Sequence, residues 1–253
     1  MKVTFLGTGT SQGVPIIACQ CKVCQSSDYK DKRLRSSVLI ETENTSFVID
    51  TGPDFRQQML RAKTKKMDAV VFTHGHKDHT AGFDDIRGFN YVQQKAMDVY
   101  GDMYVEIVLK RDFYYAFEEN KYPGVPDLNL HVINNQKFKV GDVEVLPIEL
   151  KHYKLPIKGF RVGDFTYITD ANFIEEEEKE KIRGSKVLVL NALRKTEHIS
   201  HFSLEEAIAL GKELDIPQVY FTHISHQMGF HKEVDAELPE GMNLSYDGLT
   251  IEL

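Results

Sequence analysis

The chain predicts an α/β fold of two mixed β-sheets packed face to face with helices outside, and three observations predict it. Short β-rich runs alternate with helical segments along all 253 residues. Hairpin runs occur both early and late, with helices between them. No Gly/Ser-rich or Pro-rich linker divides the chain, so a single domain over 1–253 is expected.

Taken in order, the strand candidates are KVTFLG, SVLIE with SFVID, AVVFTH, KFKVGDVEVLPIEL, GFRVGDFTYITD, KVLVLNAL, QVYFTHIS and LSYDGLTIEL. Several carry Gly-Asp or Asp-Gly, the usual chemistry of a tight hairpin turn. Helices are expected over FRQQMLRAK, DDIRGFNYVQQK, LKRDFYYAFEEN, IEEEEKEKIR and SLEEAIALGKELD. In the last of these, Ser203 followed by Glu206 forms a capping-box pattern. The acidic run Glu175 to Glu178 reads as the solvated face of a helix.

Composition narrows the function classes. With 42% apolar residues the chain can fill a core, and it is expected to fold alone. The N-terminus MKVTFLGTGT is too short for a signal peptide core, and no run approaches the roughly 18 to 20 apolar residues of a membrane span, so a cytoplasmic protein with no membrane partner is expected. A net charge of -7 argues against indiscriminate binding to nucleic acid, whose affinity leans on phosphate neutralisation.

The stretch FTHGHKDHT, Phe72 to Thr80, places His74, His76 and His79 beside Asp78 just after the buried strand AVVF. Strand carboxyl ends are where sheet-based folds build their sites. His74 and His76 can begin one metal site and Asp78 with His79 a second, since imidazole and carboxylate hold borderline divalent metals.

T-H-x-H-x-D-H after a strand resembles the signature of the metallo-β-lactamase fold superfamily, a four-layer αβ/βα sandwich holding one or two metals. The resemblance implies further ligands at later strand ends, and His152, Asp170 and His223 follow in the right order. On it, His74, His76 and His152 hold the first metal, Asp78, His79 and His223 the second, and Asp170 bridges both. Asp50 in FVIDTG matches an early aspartate that buttresses the histidine loop. Such a set suits zinc, manganese or nickel in hydrolysis, with two ions sharing an activated water and clamping the entering and leaving oxygens of a phosphoryl group.

All three cysteines, Cys19, Cys21 and Cys24, fall in one C-x-C-x-x-C segment. An odd count in a cytoplasmic chain argues for a metal knot over a disulfide framework. Tetrahedral zinc needs a fourth ligand, and His226, three residues past His223 in THISH, is the candidate for this structural zinc.

GTGTSQGVP, the cysteine segment, the histidine loop, the late aspartate, H-x-x-H before Phe202 and T-H-x-x-H together resemble the phosphodiesterases of the carbon-phosphorus lyase pathway. That resemblance runs from Met1 to about His226. It implies a di-metal enzyme opening a small cyclic phosphodiester such as phosphoribosyl 1,2-cyclic phosphate, with His201 as proton donor and His198 its nearby competitor. Asp78 is expected to be indispensable to turnover. Arg35, Arg87 and Arg161 are candidates for the distal phosphate, each with a structural ion pair as the plainer role. A tRNA 3′-processing endonuclease and a thioesterase share the histidine loop; no basic, glycine-rich arm for tRNA is evident, and a thioesterase has no use for the cysteine knot. A homodimer is the commonest assembly for such a chain.

Overall fold

The computed structural model describes residues 1–253. The chain builds one sheet, then the other. Strands β1 (Lys2–Gly7), β2 (Ser37–Glu41), β3 (Ser46–Ile49), β4 (Ala69–Val71), β5 (Met97–Gly101) and β6 (Leu128–Val132) lie side by side in sequence order. Strands β7 (Phe138–Val140), β8 (Val143–His152), β9 (Leu155–Val162), β10 (Phe165–Ile168), β11 (Val187–Asn191), β12 (Gln218–Thr222) and β13 (Met242–Leu244) do the same in the second sheet. Strand β14 (Thr250–Glu252) then returns to the edge of the first, beside β1.

Both sheets begin antiparallel and end parallel. Gly141-Asp142 and Gly163-Asp164 make the expected two-residue hairpin turns, with Val140 opposite Val143 and Val162 opposite Phe165. From β3 and from β10 onward the strands are parallel, and parallel neighbours need crossovers, which are the helices. Phe55–Ala62, Arg87–Gln93 and Met103–Asp112 cover the first sheet; Glu176–Ile182, Leu204–Glu213 and His231–Glu237 cover the second.

Period-two alternation divides the core into layers. Val3, Phe5, Val38, Ile40, Phe47 and Ile49 face Phe160, Phe165, Tyr167, Val187 and Val189 between the sheets. Their neighbours Leu6, Leu39 and Val48 face the first helical layer with Phe55 and Leu109. Leu188, Leu190 and Ile168 face the second helical layer with Ala207 and Leu210. The four-layer αβ/βα sandwich follows from that alternation, and no helix is long and apolar enough to cross a membrane.

Several elements depart from expectation. The helix expected from Leu109 begins at Met103, because Asp102 accepts from the Val105 N–H at 2.9 Å and caps it, and it ends at Asp112. The run LSYDGLTIEL is two strands in different sheets, with the Asp247 carboxylate accepting from Thr8 Oγ1 and the Leu34 N–H at the crossing. The capping box is present: Ser203 Oγ accepts from the Glu206 N–H, and the Glu206 carboxylate from the Ser203 N–H. Of the acidic run, Glu178 is buried, accepting from the Glu149 N–H and pairing with Lys181.

Candidate metal centre

The site lies where carboxyl ends of strands from both sheets meet. Asp50 follows β3, the His74–His79 loop follows β4, His152 ends β8 at a hairpin tip, Asp170 follows β10 and His223 follows β12. Asp50, Asp170 and His223 have φ of 66°, 63° and 57°. Left-handed backbone at residues other than glycine is held only where the surroundings over-determine it, and it clusters at functional sites.

The structure brings the predicted ligands together. Asp78, His79, Asp170 and His223 form one group with ligand atoms all within 4.8 Å of one another; His152, Asp170 and His201 form another. His79 Nε2 stands 3.1 Å from Asp78 Oδ2 and 3.3 Å from Asp170 Oδ1, and His223 Nδ1 is 3.1 Å from that same Asp170 oxygen. The His74, His76 and His152 rings have centroids 4.6, 5.2 and 5.9 Å apart pairwise. His76 is the exposed member of the set.

Hydrogen bonds on the far side of each ring decide which nitrogen faces inward. Thr73 Oγ1 donates to Asp50 at 2.8 Å, so the same oxygen accepts from His74 Nδ1 at 3.0 Å. His79 Nδ1 donates to Asp50 Oδ2 at 2.7 Å. His152 Nδ1 donates to the Asp170 and Ser200 carbonyls at 2.7 and 2.8 Å. In all three the lone pair is therefore on Nε2. His74 Nε2 and His79 Nε2 are buried with no hydrogen-bond partner. Buried acceptors converging with two carboxylates and no donor between them fit a cation.

The electrostatics mark the same cluster as a place for positive charge, held by a proton on His79 until a cation displaces it. Burial works against charge on His79, but Asp78, Asp170 and Asp50 around it outweigh that and hold it well above its ordinary value. Burial likewise opposes the Asp170 carboxylate, yet His223, His79 and His201 keep it well below the usual range. Burial, with His79 beside it, takes His74 far down, and burial takes His223 down to about 4, so both remain neutral and able to coordinate.

The cysteines form a separate cage. Cys19, Cys21 and Cys24 Sγ lie 3.4, 3.3 and 3.5 Å from His226 Nδ1. A zinc about 2.3 Å from sulfur and about 2.05 Å from nitrogen, at the tetrahedral angle, sets each nitrogen–sulfur edge at about 3.6 Å. Three equal edges of that length fit the ion. The Cys24 N–H donating to Cys21 Sγ at 3.4 Å draws that thiol down to about 6, the direction a thiolate ligand needs.

His201 borders the cluster, its Nε2 3.4 Å from Asp170 Oδ2, and His198 lies behind it. None of the three predicted arginines has a hydrogen bond or ion pair to a ligand of the cluster. Arg35 pairs with Asp54 at 3.1 Å near the N-terminal glycine loop. Arg87 is exposed, pairs with Asp84 and lines a cleft of about 620 Å³ that contains none of the histidines. Arg161 sits toward the opposite end of its strand from His152 and donates to the carbonyls of Gly163, Lys181 and Arg183. It ties backbone together and binds nothing at the cluster.

Sequence reasoning missed Asn191. Fully buried at the end of β11, it accepts from the Ala171 N–H and donates to the Ala171 carbonyl, both at 2.8 Å, clamping the turn that aims Asp170. The available signal was a polar residue closing the apolar run VLVLN.

Residues 45–224 match the model of the beta-lactamase superfamily domain. The chain belongs to this metallo-β-lactamase superfamily, and with its cation-fitting cluster it is a metal-dependent hydrolase. Within the superfamily it stands with the PhnP family: it is 38% identical to a solved diphosphatase of that family, covering 100% of this chain and 97% of that one, with a TM-score of 0.93. Zinc-bound PqqB from Methylobacterium extorquens is 18% identical (100% of both chains, TM-score 0.81), and human tRNase Z, short form, is 19% identical (100% and 99%, TM-score 0.73); these share the fold. An octanoyltransferase from Porphyromonas gingivalis (strain ATCC BAA-308 / W83) is 39% identical over 98% of this chain, which spans 51% of that relative's length.

Proposed function

We propose that the protein is a di-metal phosphodiesterase that opens a small cyclic phosphodiester of the phosphoribosyl 1,2-cyclic phosphate kind. One observation carries the reading: Asp170 belongs to both ligand groups, with Oδ1 facing His79 and His223 and Oδ2 facing His201. A carboxylate shared in this way suits a pair of ions and sets a proton donor at their edge. His74, His76 and His152 would hold one ion, Asp78, His79 and His223 the other, with Asp170 common to both. Zinc, manganese or nickel fits these donors, and zinc fits the cysteine cage. When bound, the pair supplies positive charge to the phosphoryl oxygens and lowers the pKa of water toward neutrality.

The chain's own groups do the rest. Asp50, Thr73 and the Ser200 carbonyl keep His79, His74 and His152 in the ligating tautomer. His201 presents Nε2 at the cluster, where it hands a proton to the departing sugar oxygen. The PhnP-family diphosphatase supports chemistry at phosphorus.

A second reading has its own support. The octanoyltransferase relative is about twice this chain's length, which ties a half like this one to acyl transfer and favours an acyl thioester at the same site. A turnover panel separates the readings: cyclic phosphoribose, a 2′,3′-cyclic nucleotide, a nucleoside diphosphate ester, octanoyl-coenzyme A and a tRNA precursor, each with zinc and with manganese. Preference for the cyclic esters is expected. Thioester cleavage without phosphodiester cleavage would replace the first reading with the second.

A further inference from the structure

Behind His201 the structure holds a contact that metal binding does not need. His201 Nδ1 lies 3.2 Å from His198 Nδ1 and 3.0 Å from Ser200 Oγ, and the Ser200 backbone N–H donates to His198 Nδ1 at 3.3 Å. Two ring nitrogens at that separation have one hydrogen between them. Because the Ser200 N–H donates to it, His198 Nδ1 is the unprotonated nitrogen of its ring, so the hydrogen between the rings belongs to His201, and the His198 lone pair is shared among that hydrogen, the Ser200 N–H and Ser200 Oγ at 3.3 Å.

We propose that His198 is a positioning residue: it accepts the His201 Nδ1–H and fixes that ring with Nε2 toward Asp170 and the reacting phosphate. This rests on the reading of His201 as proton donor. His198 does for His201 what an orienting carboxylate does for a catalytic imidazole: it holds the ring's rotation and keeps one proton on Nδ1, so that in the imidazolium form the second proton, the one delivered to the leaving oxygen, sits on the inward Nε2. Ser200 links the two halves of the site, since its carbonyl fixes His152 while its N–H and hydroxyl address His198 and His201. Phe202 N–H to the Ala171 carbonyl at 2.9 Å ties this loop to the turn carrying Asp170.

The test compares leaving groups in the metal-loaded, full-length chain. A 2′,3′-cyclic nucleotide expels a sugar oxygen that needs a proton; bis(p-nitrophenyl) phosphate expels a nitrophenolate that does not. His198→Ala and His198→Gln should lower kcat on the cyclic nucleotide roughly 10-fold or more, with KM and metal content unchanged and the nitrophenyl ester affected less than about 3-fold. His198→Asn, which keeps an acceptor at the Nδ1 position, should restore most of the loss. Nitrogen-edited NMR of the zinc-loaded protein should show the His201 Nδ1–H in wild type and His198→Asn, and lose it in His198→Ala. Equal losses on both esters, a change in KM alone, or no advantage of Asn over Ala would overturn the proposal. His201→Ala is the control: if it shows the split and His198→Ala does not, only the His198 role fails. If His201→Ala shows no split, the proton-donor reading fails and the His198 role with it. Should wild type cleave neither ester, the NMR arm alone decides whether the ring is held.

Discussion

Asp50→Asn isolates the bond that makes His79 a ligand. Asp50 is fully buried and accepts three hydrogen bonds: Thr73 N–H on Oδ1 at 2.9 Å, and Thr73 Oγ1 and His79 Nδ1 on Oδ2 at 2.8 and 2.7 Å. Its backbone is left-handed, φ 66°, a conformation asparagine tolerates well, so strain does not confound the change. An amide has one acceptor oxygen. If that oxygen stays on the Thr73 N–H, the NH2 faces His79, which must turn to its other tautomer and aim a hydrogen at the ion. If the amide flips, the Thr73 N–H is left unpaired in the interior. Losing an orienting partner of this kind lowers metal affinity by about 10- to 100-fold, about 1.4 to 2.8 kcal/mol. Competition against a chromophoric chelator, with the fold of the variant checked by circular dichroism, measures it. A folded Asp50→Asn protein with affinity within about twofold of wild type would refute the tautomer argument, because the shared hydrogen would then not be setting the ligand.

The cage and catalytic cluster together should hold three metals per chain, and Cys24→Ser should remove one; elemental analysis returning two for wild type would delete the cage. His201→Ala should slow turnover by about 10² or more with metal content intact, and loss of metal would make it a ligand. Arg161→Lys, which forfeits carbonyl contacts at the far end of β9, should cost ~1–2 kcal/mol of stability and leave kcat/KM unchanged; an activity loss without a melting shift would return Arg161 to the substrate. His231 is buried and accepts from Arg33 Nη2 at 3.1 Å; burial and that guanidinium lower it from 6.5 to about 4. The unfolded chain therefore binds the extra proton between those values, so stability is complete above pH 6.5 and falls, on the order of 3 kcal/mol, as pH drops toward 4. In urea, the stability difference between wild type and His231→Asn should shrink over that window, and a pH-independent difference would refute it.

What the sequence revealed and what it hid divide along a physical line. Ligands were legible because coordination demands particular side chains, and this architecture delivers them from the carboxyl ends of strands in both sheets, so residue type and order along the chain carry the information. Orientation along a strand was not legible: Arg161 belongs to the same hairpin as His152, yet that hairpin runs past the site and leaves the guanidinium at the other end. Local propensity hid the start of the helix at Met103, where β-branched Val105, Ile107 and Val108 are weak helix formers and the Asp102 cap sets the first turn. Short strands such as β5 and β13 borrow their stability from neighbours and leave little periodicity of their own. Least visible were the residues that aim the ligands. Asn191, Ser200 and His198 bind no ion in this reading, and their effect lies in bonds to backbone and to another ring. Three left-handed turns at Asp50, Asp170 and His223 need such bonds, because isolated chains disfavour that backbone by about 1 to 3 kcal/mol per residue. The preassembled centre is thus held in part by backbone-directed interactions, those of Asn191 and Ser200, that no motif encodes, and substitutions in that outer layer should separate metal affinity from fold more cleanly than substitutions of the ligands themselves.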